Sequence, residues 1–293
     1  MGRFRRARPF AFCGRVFYLS MLLTRTHGAV FQHSLEYAAI GRQLRIGGAG
    51  PGSFSALPAP ALSAAMAAQP LAQEIAWVTG SPEYGSVCRH AYALAEAAVM
   101  KAAAAETREW TVVLDVDDTV LQSWSYGAEL AATGAVDTPE SWRRWVRRKE
   151  AAPVPGAKEF LEKVRTLGPR AHIAFVTDDE IGLQEDKIET MRKLGLFAAG
   201  DLFLSKTGPD DTKESRRRCL REGVSPRCGR YGPLATLATI GDAIRDHVPV
   251  RTERDAEFVR QKITQGEFWC EADAACIVLP NPVYGDWTSD YGR

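Results

Sequence analysis

The sequence predicts an α/β fold built on a doubly wound parallel sheet, and three observations carry that prediction. From residue 77 onward, short β-branched apolar runs alternate with longer segments of helical periodicity, the order a parallel sheet with crossover helices requires. The run at 111–116 is apolar and β-branched, like strands buried on both faces. Acidic residues gather just after three of the runs, at the carboxyl ends of strands where such sheets bind ligands.

The elements follow in order. Residues 84–106 are Ala-rich with apolar residues at helical spacing, and 111–116 is the first strand. Residues 138–149 form a helix, with Thr138 as cap, Pro139 in the first turn and Trp142 and Trp145 one turn apart. A helix over 155–167 precedes a strand at 172–177, and a helix over 183–194 ends at Gly195. A strand at 202–205, a helix at 211–222, a strand at 235–240, a helix at 255–265 and a strand at 275–279 complete the chain.

A length of 293 residues suits one large domain, or one domain with a tail. The composition, 45% hydrophobic and 25% charged, excludes collagen-like, coiled-coil and wholly disordered chains. No run of about 18 apolar residues is present, so no transmembrane helix is expected. The net charge of +1 is uneven: residues 1–72 hold eight arginines, no lysine and one acid, Glu36. The remainder is mildly acidic and has no basic face for a nucleic acid polymer; its dense basic stretch, 143–149, reads as a solvated helix face.

Residues 1–72 are read as a low-complexity, disordered leader or targeting region, Arg-rich with a short apolar patch at 16–23 and a Gly/Pro/Ala/Ser segment at 47–70. Residues 73–293 form the folded domain. None of the six cysteines makes a Cys-x-x-Cys pair, which argues against a zinc or thioredoxin-like centre. Bridges Cys219–Cys228 and Cys270–Cys276 are sterically allowed in an oxidising compartment; free buried thiols are the alternative.

The strand ends carry the chemistry. The first runs into Asp115-Val116-Asp117-Asp118-Thr119, the second into Thr177-Asp178-Asp179, and the fourth into Gly241-Asp242, with Asp246 four residues on. Lys213 opens a helix between the last two. Carboxylates gathered at one sheet edge repel unless a cation lies among them, and an all-oxygen donor set suits Mg²⁺. An aspartate can attack phosphorus, and a second can protonate the leaving oxygen and then activate water. A Thr hydroxyl and a lysine can hold phosphoryl oxygens. Each piece also has a plainer role as a turn acid, a cap or a surface lysine; their order along the strand ends favours a shared pocket.

Asp115-Val116-Asp117-Asp118-Thr119-Val120-Leu121, Thr177, Lys213 and Gly241-Asp242-x-x-x-Asp246 together resemble the four motifs of the haloacid-dehalogenase superfamily. Trp77-Val78-x-x-Ser81-x-Glu83-Tyr84, Pro153-Val154-Pro155-Gly156-Ala157 and a terminal Leu279-Pro280-Asn281 … Tyr284-Gly285-Asp286-Trp287 narrow the resemblance to the class B/class C acid phosphatases, a group that includes bacterial lipoprotein 5′-nucleotidases and plant vegetative storage proteins. The similarity spans about 77–287. It implies a Rossmann-like core with a helical subdomain from about 77–108 and 123–152, a Mg²⁺ ion, and hydrolysis of small phosphomonoesters, including nucleoside 5′-monophosphates. By the same resemblance Asp115 is nucleophile and metal ligand. Asp117 is acid/base and binds metal through its backbone carbonyl. Asp242 and Asp246 complete the metal site, Thr177 and Lys213 bind phosphate, and Trp142 and Tyr284 clamp the substrate's aromatic part. Family members are mostly exported, so export is expected here.

Two departures stand out. The family's usual Thr-Asn-Arg reads Thr177-Asp178-Asp179, and Ala243 replaces an Asn. Two extra acids beside a dianionic phosphate require them to point away or to pair with an arginine such as Arg245. They also motivate an alternative, a catalytically weak binding or storage-type member of the same family. A receiver-type phosphoacceptor does not fit, because receivers lack the Asp-x-Asp pair.

Overall fold

Side-chain caps mark the starts of four of the eight α-helices described. The computed structural model describes residues 72–250, 252–267, 269–270, 274–285 and 287; the leader assigned to 1–72 lies outside them except for Ala72. In chain order the elements are α1 (Gln73–Gly80), α2 (Pro82–Ala103), β1 (Trp110–Leu114), β2 (Leu121–Gln122), α3 (Trp124–Thr133), α4 (Pro139–Arg148), β3 (Ala152–Pro153) and α5 (Ala157–Arg165). They continue with β4 (Ala171–Glu180), α6 (Gln184–Leu194), β5 (Leu202–Lys206), α7 (Lys213–Glu222), β6 (Ala235–Gly241), α8 (Glu253–Gln265) and β7 (Ala275–Val278). The Thr138 hydroxyl accepts from the Ser141 amide at 3.1 Å and the Ser141 hydroxyl accepts from the Thr138 amide at 3.0 Å, a reciprocal cap worth about 1 kcal/mol. Thr212 caps α7 one way, its hydroxyl accepting from the Ser215 amide at 3.1 Å.

The five strands expected at 111–116, 172–177, 202–205, 235–240 and 275–279 are β1, β4, β5, β6 and β7. They form one parallel sheet in the order β5-β4-β1-β6-β7. Side chains alternate between its two faces. Val112, Leu114, Ile173 and Phe175 join the core beneath α2 and α5, while Val113, Ala174 and Val176 meet Leu220 of α7 on the other face. Burial on both faces explains the unbroken apolar run of β1. The crossover order places β1 centrally, so its carboxyl end opens between those of β4 and β6.

Four elements were not foreseen: α1, α3 and the antiparallel strands β2 and β3. The start of α3 lacks a side-chain cap, because the Ser123 hydroxyl is taken by Asp118. Of the segments expected to form a helical subdomain, 123–152 makes α3 and α4, with a small core of Tyr126, Trp145, Val146 and Leu183. Within 77–108, α1 contacts α3, whereas α2 lies on the sheet.

Both cysteine bridges form, Cys219–Cys228 and Cys270–Cys276, each with Cα atoms 5.9 Å apart. Among the described residues Cys88 is free and buried, and no helix is long and apolar enough to cross a membrane.

Candidate active site

The turn after β1 is the foundation. The Asp115 amide donates to the Ile240 carbonyl at 2.9 Å, which keeps the chain in register with β6. Three residues on, Asp118 takes a left-handed conformation, φ 55°, which Asp adopts more readily than most residues. Its carboxylate is fully buried and accepts from the Ser123 amide at 2.6 Å, the Ser123 hydroxyl and the Tyr284 hydroxyl. Burial pushes its pKa up to about 7. Asp118 therefore ties the β1 turn to the C-terminal segment, a role its sequence position does not reveal.

Asp115, Asp242 and Asp246 come together with ligand oxygens all within 4.8 Å of one another. Lys213 Nζ lies 2.5 Å from both Asp115 and Asp246. The Thr119 hydroxyl faces Asp115 at 3.5 Å and Asp242 at 3.4 Å, and Asn281 Nδ2 donates to Asp242 at 2.7 Å. Burial raises the Asp115 carboxyl to about 6 against the pull of Lys213. Burial and the charges of Asp115 and Asp246 push Asp242 well above the usual carboxylate range. Three acids against one lysine leave negative charge that a divalent cation would offset, so this all-oxygen donor set fits such an ion.

Gly241 makes this approach possible. A Cβ there would overlap the Asp246 carboxylate and its Cβ, so Gly241→Ala is expected to displace Asp246 and cut turnover at least about tenfold. Parental turnover in a folded Gly241→Ala variant would show that Asp246 need not sit there.

Asp117 lies outside that group of three and has partners of its own. Its carboxylate is ion-paired with Lys187 and accepts from the Thr177 hydroxyl at 3.4 Å. Burial raises it to about 6, with Lys187 opposing. Helix α7 braces the arrangement through Lys213, Arg216 and Arg217, residues at helical spacing on one side. Arg216 donates to the Thr177 carbonyl and to the Leu204 carbonyl at 3.1 Å. Arg217 donates to the carbonyls of Arg245 and Asp246 at 2.9 and 3.0 Å.

The two unexpected acids have partners other than the Arg245 considered from sequence. Asp178 pairs with Arg216 at 2.5 Å; Asp179 pairs with Lys187 and accepts from Trp142 Nε1 at 2.8 Å. Lys187 had a legible signal. It falls on the buried stripe of α6, one turn after Leu183 and one before Met191, where a lysine needs a counter-charge.

Above these residues opens a cleft of about 750 Å³. Trp142, stacked on Trp145 at 5.1 Å, lines it, as does Tyr284, 6.1 Å from Trp124. Tyr284 is 42% exposed as a residue, with its hydroxyl fixed by Asp118. The cleft thus brings together all eight residues singled out in the sequence: Asp115, Asp117, Trp142, Thr177, Lys213, Asp242, Asp246 and Tyr284.

The fold resembles that of the class C acid phosphatase from Bacillus anthracis, with a TM-score of 0.61 and 22% identity over 74% of this chain and 86% of that one. A structure of the Bacillus anthracis enzyme with tungstate bound gives 0.60 and 21%, over 75% and 88%. Residues 59–287 match the family model described as HAD superfamily, subfamily IIIB (acid phosphatase). With a match across most of its length and an acidic cleft at the sheet's carboxyl edge, the chain belongs to the subfamily IIIB acid phosphatases of the haloacid-dehalogenase superfamily, a family of phosphomonoester hydrolases.

Proposed function

We propose that the chain hydrolyses small phosphomonoesters, nucleoside 5′-monophosphates among them, through a phospho-aspartyl intermediate with Mg²⁺ as cofactor. The observation that carries the reading is the convergence of Asp115, Asp242, Asp246 and Lys213, with the Asp117 carboxylate set apart from them beside Thr177. Asp115, Asp242 and Asp246, with the Asp117 backbone carbonyl, would hold the ion. Bound there, it would neutralise phosphoryl charge and favour attack by an anion.

The chain's own residues supply the steps. An Asp115 oxygen attacks phosphorus as the ester P–O bond breaks. Asp117 gives its proton to the leaving oxygen. Asp117 then takes a proton from water, whose oxygen attacks the phosphoryl group. The bond to Asp115 breaks and inorganic phosphate leaves. Lys213 and the Thr177 hydroxyl hold phosphoryl oxygens throughout.

The storage-type alternative drew on Asp178 and Asp179. Their pairing with Arg216 and Lys187 offsets part of the charge on which it rested. Export to an oxidising compartment is part of the proposal, and the two disulfides support it.

The test is phosphate release from nucleoside 5′-monophosphates, sugar phosphates and an aryl phosphate across pH 4–8, with Mg²⁺ or chelator, against an Asp115→Asn blank. Release above the blank that needs Mg²⁺ is expected. None from folded protein would sink the proposal. Trp142→Ala is expected to raise KM for a nucleoside monophosphate about tenfold, the scale of one lost base stack, and for an aryl phosphate less. Equal losses would mean that Trp142 serves packing and not the base.

A further inference from the structure

We propose that Lys187 is a positioning residue for hydrolysis, a buried cation delivered from α6 that fixes the Asp117 carboxylate and, through Asp179, couples it to the Trp142 wall of the cleft. This rests on the phosphatase reading above and adds a residue that lies outside all four motifs.

The Lys187 side chain is only 3% exposed, and its ammonium is shared between the carboxylates of Asp117 and Asp179. It also lies 5.2 Å from the centroid of the Trp142 ring. The other Asp179 oxygen holds Trp142 Nε1 at 2.8 Å. The Asp179 amide donates to the Thr177 hydroxyl at 3.2 Å, and that hydroxyl faces Asp117 at 3.4 Å. Lys187, Asp117, Thr177 and Asp179 thus close a ring, with the aromatic wall attached at Asp179.

Two physical points give the ring a role beyond stability. An isolated salt bridge this dry contributes little net stability against a well-packed apolar pair, yet this lysine is spent on the one acid that must move a proton. A proton donor works only when held within hydrogen-bond reach of the leaving oxygen. Without the cation, the Asp117 carboxylate keeps the 3.4 Å contact with the Thr177 hydroxyl as its anchor and is free to rotate away.

Two double variants test this, because Lys187→Met alone would leave Asp117 and Asp179 bare and risk misfolding. In K187M/D179N the cation goes together with one of its carboxylates. In K187M/D179R a cation returns from the strand end, and the contact between the two parental side chains places it within reach of Asp117. Both are checked for folding by circular dichroism and assayed with an aryl phosphate and Mg²⁺. K187M/D179N is expected to lose at least tenfold in kcat with KM changed less than threefold, and K187M/D179R to recover to within threefold of the parent. Equal kcat in the two doubles, or a loss confined to KM, overturns the proposal. If the parent releases no phosphate from any substrate, the phosphatase reading fails instead. Crystal structures of the doubles then decide for Lys187. Asp117 must stay beside the Thr177 hydroxyl in K187M/D179R and leave it in K187M/D179N; one position in both variants overturns the proposal.

Discussion

Asp115→Asn is expected to lower phosphate release by a factor of about 10³ or more while leaving the fold intact. The amide is nearly the same size but has no anionic oxygen to attack phosphorus, so the covalent route closes. Nothing in the packing forbids the change. Asp115 is 7% exposed, and burial already lifts its pKa to about 6, so the folded protein disfavours its charge. Lys213 keeps Asp246 as an ionic partner when Asp115 becomes neutral. The Asp115 amide continues to pair with the Ile240 carbonyl, which anchors the turn independently of the side chain. Circular dichroism and thermal denaturation check the fold, and single-turnover phosphate release checks the chemistry. Turnover within tenfold of the parent would remove Asp115 as the nucleophile.

What could be read from sequence divides along a physical line. The β1 run, the Thr138 cap and the Gly195 stop are local signals, in which residue type alone sets backbone preference, and the elements lie where expected. The acids at the carboxyl ends of β1, β4 and β6 were legible because a parallel sheet puts all its carboxyl ends on one edge. The contacts that hold them were not. Lys187 meets Asp117 across 70 positions, Asn281 meets Asp242 across 39, and Tyr284 meets Asp118 across 166. Such pairings depend on tertiary packing, and no local pattern encodes them. Asp178 and Asp179 illustrate the cost. Read along the chain they are two charges hostile to phosphate; folded, each faces a cation that it shares with another acid.

The protein freed of divalent cation is expected to lose stability as pH rises from 5 to 7.5, with a fall in Tm of roughly 5–10 °C. The sign follows from the acids. Asp115 and Asp117 are raised to about 6, Asp118 to about 7 and Asp242 further, all chiefly by burial. In the unfolded chain each ionises near pH 4, so through this window the folded state binds more protons and is weakened as they leave. His247 opposes the trend. Burial lowers it to about 4, so its contribution is lost as pH falls below the unfolded value near 6.5. One imidazole against four carboxyls leaves the acids in control. Mg²⁺ should therefore raise Tm more at pH 7.5 than at pH 5, where it must displace protons to bind. Calorimetry at both pH values, with chelator and with Mg²⁺, checks this. A Tm that is level or rising toward pH 7.5 without cation would mean that these carboxyls do not hold protons more tightly in the folded state, and a larger Mg²⁺ effect at pH 5 that Asp115 and Asp242 do not form the ion's site. The same burial serves the proposed chemistry, since an acid held near pKa 6 can donate its proton in mildly acidic solution and reclaim one from water in the next step.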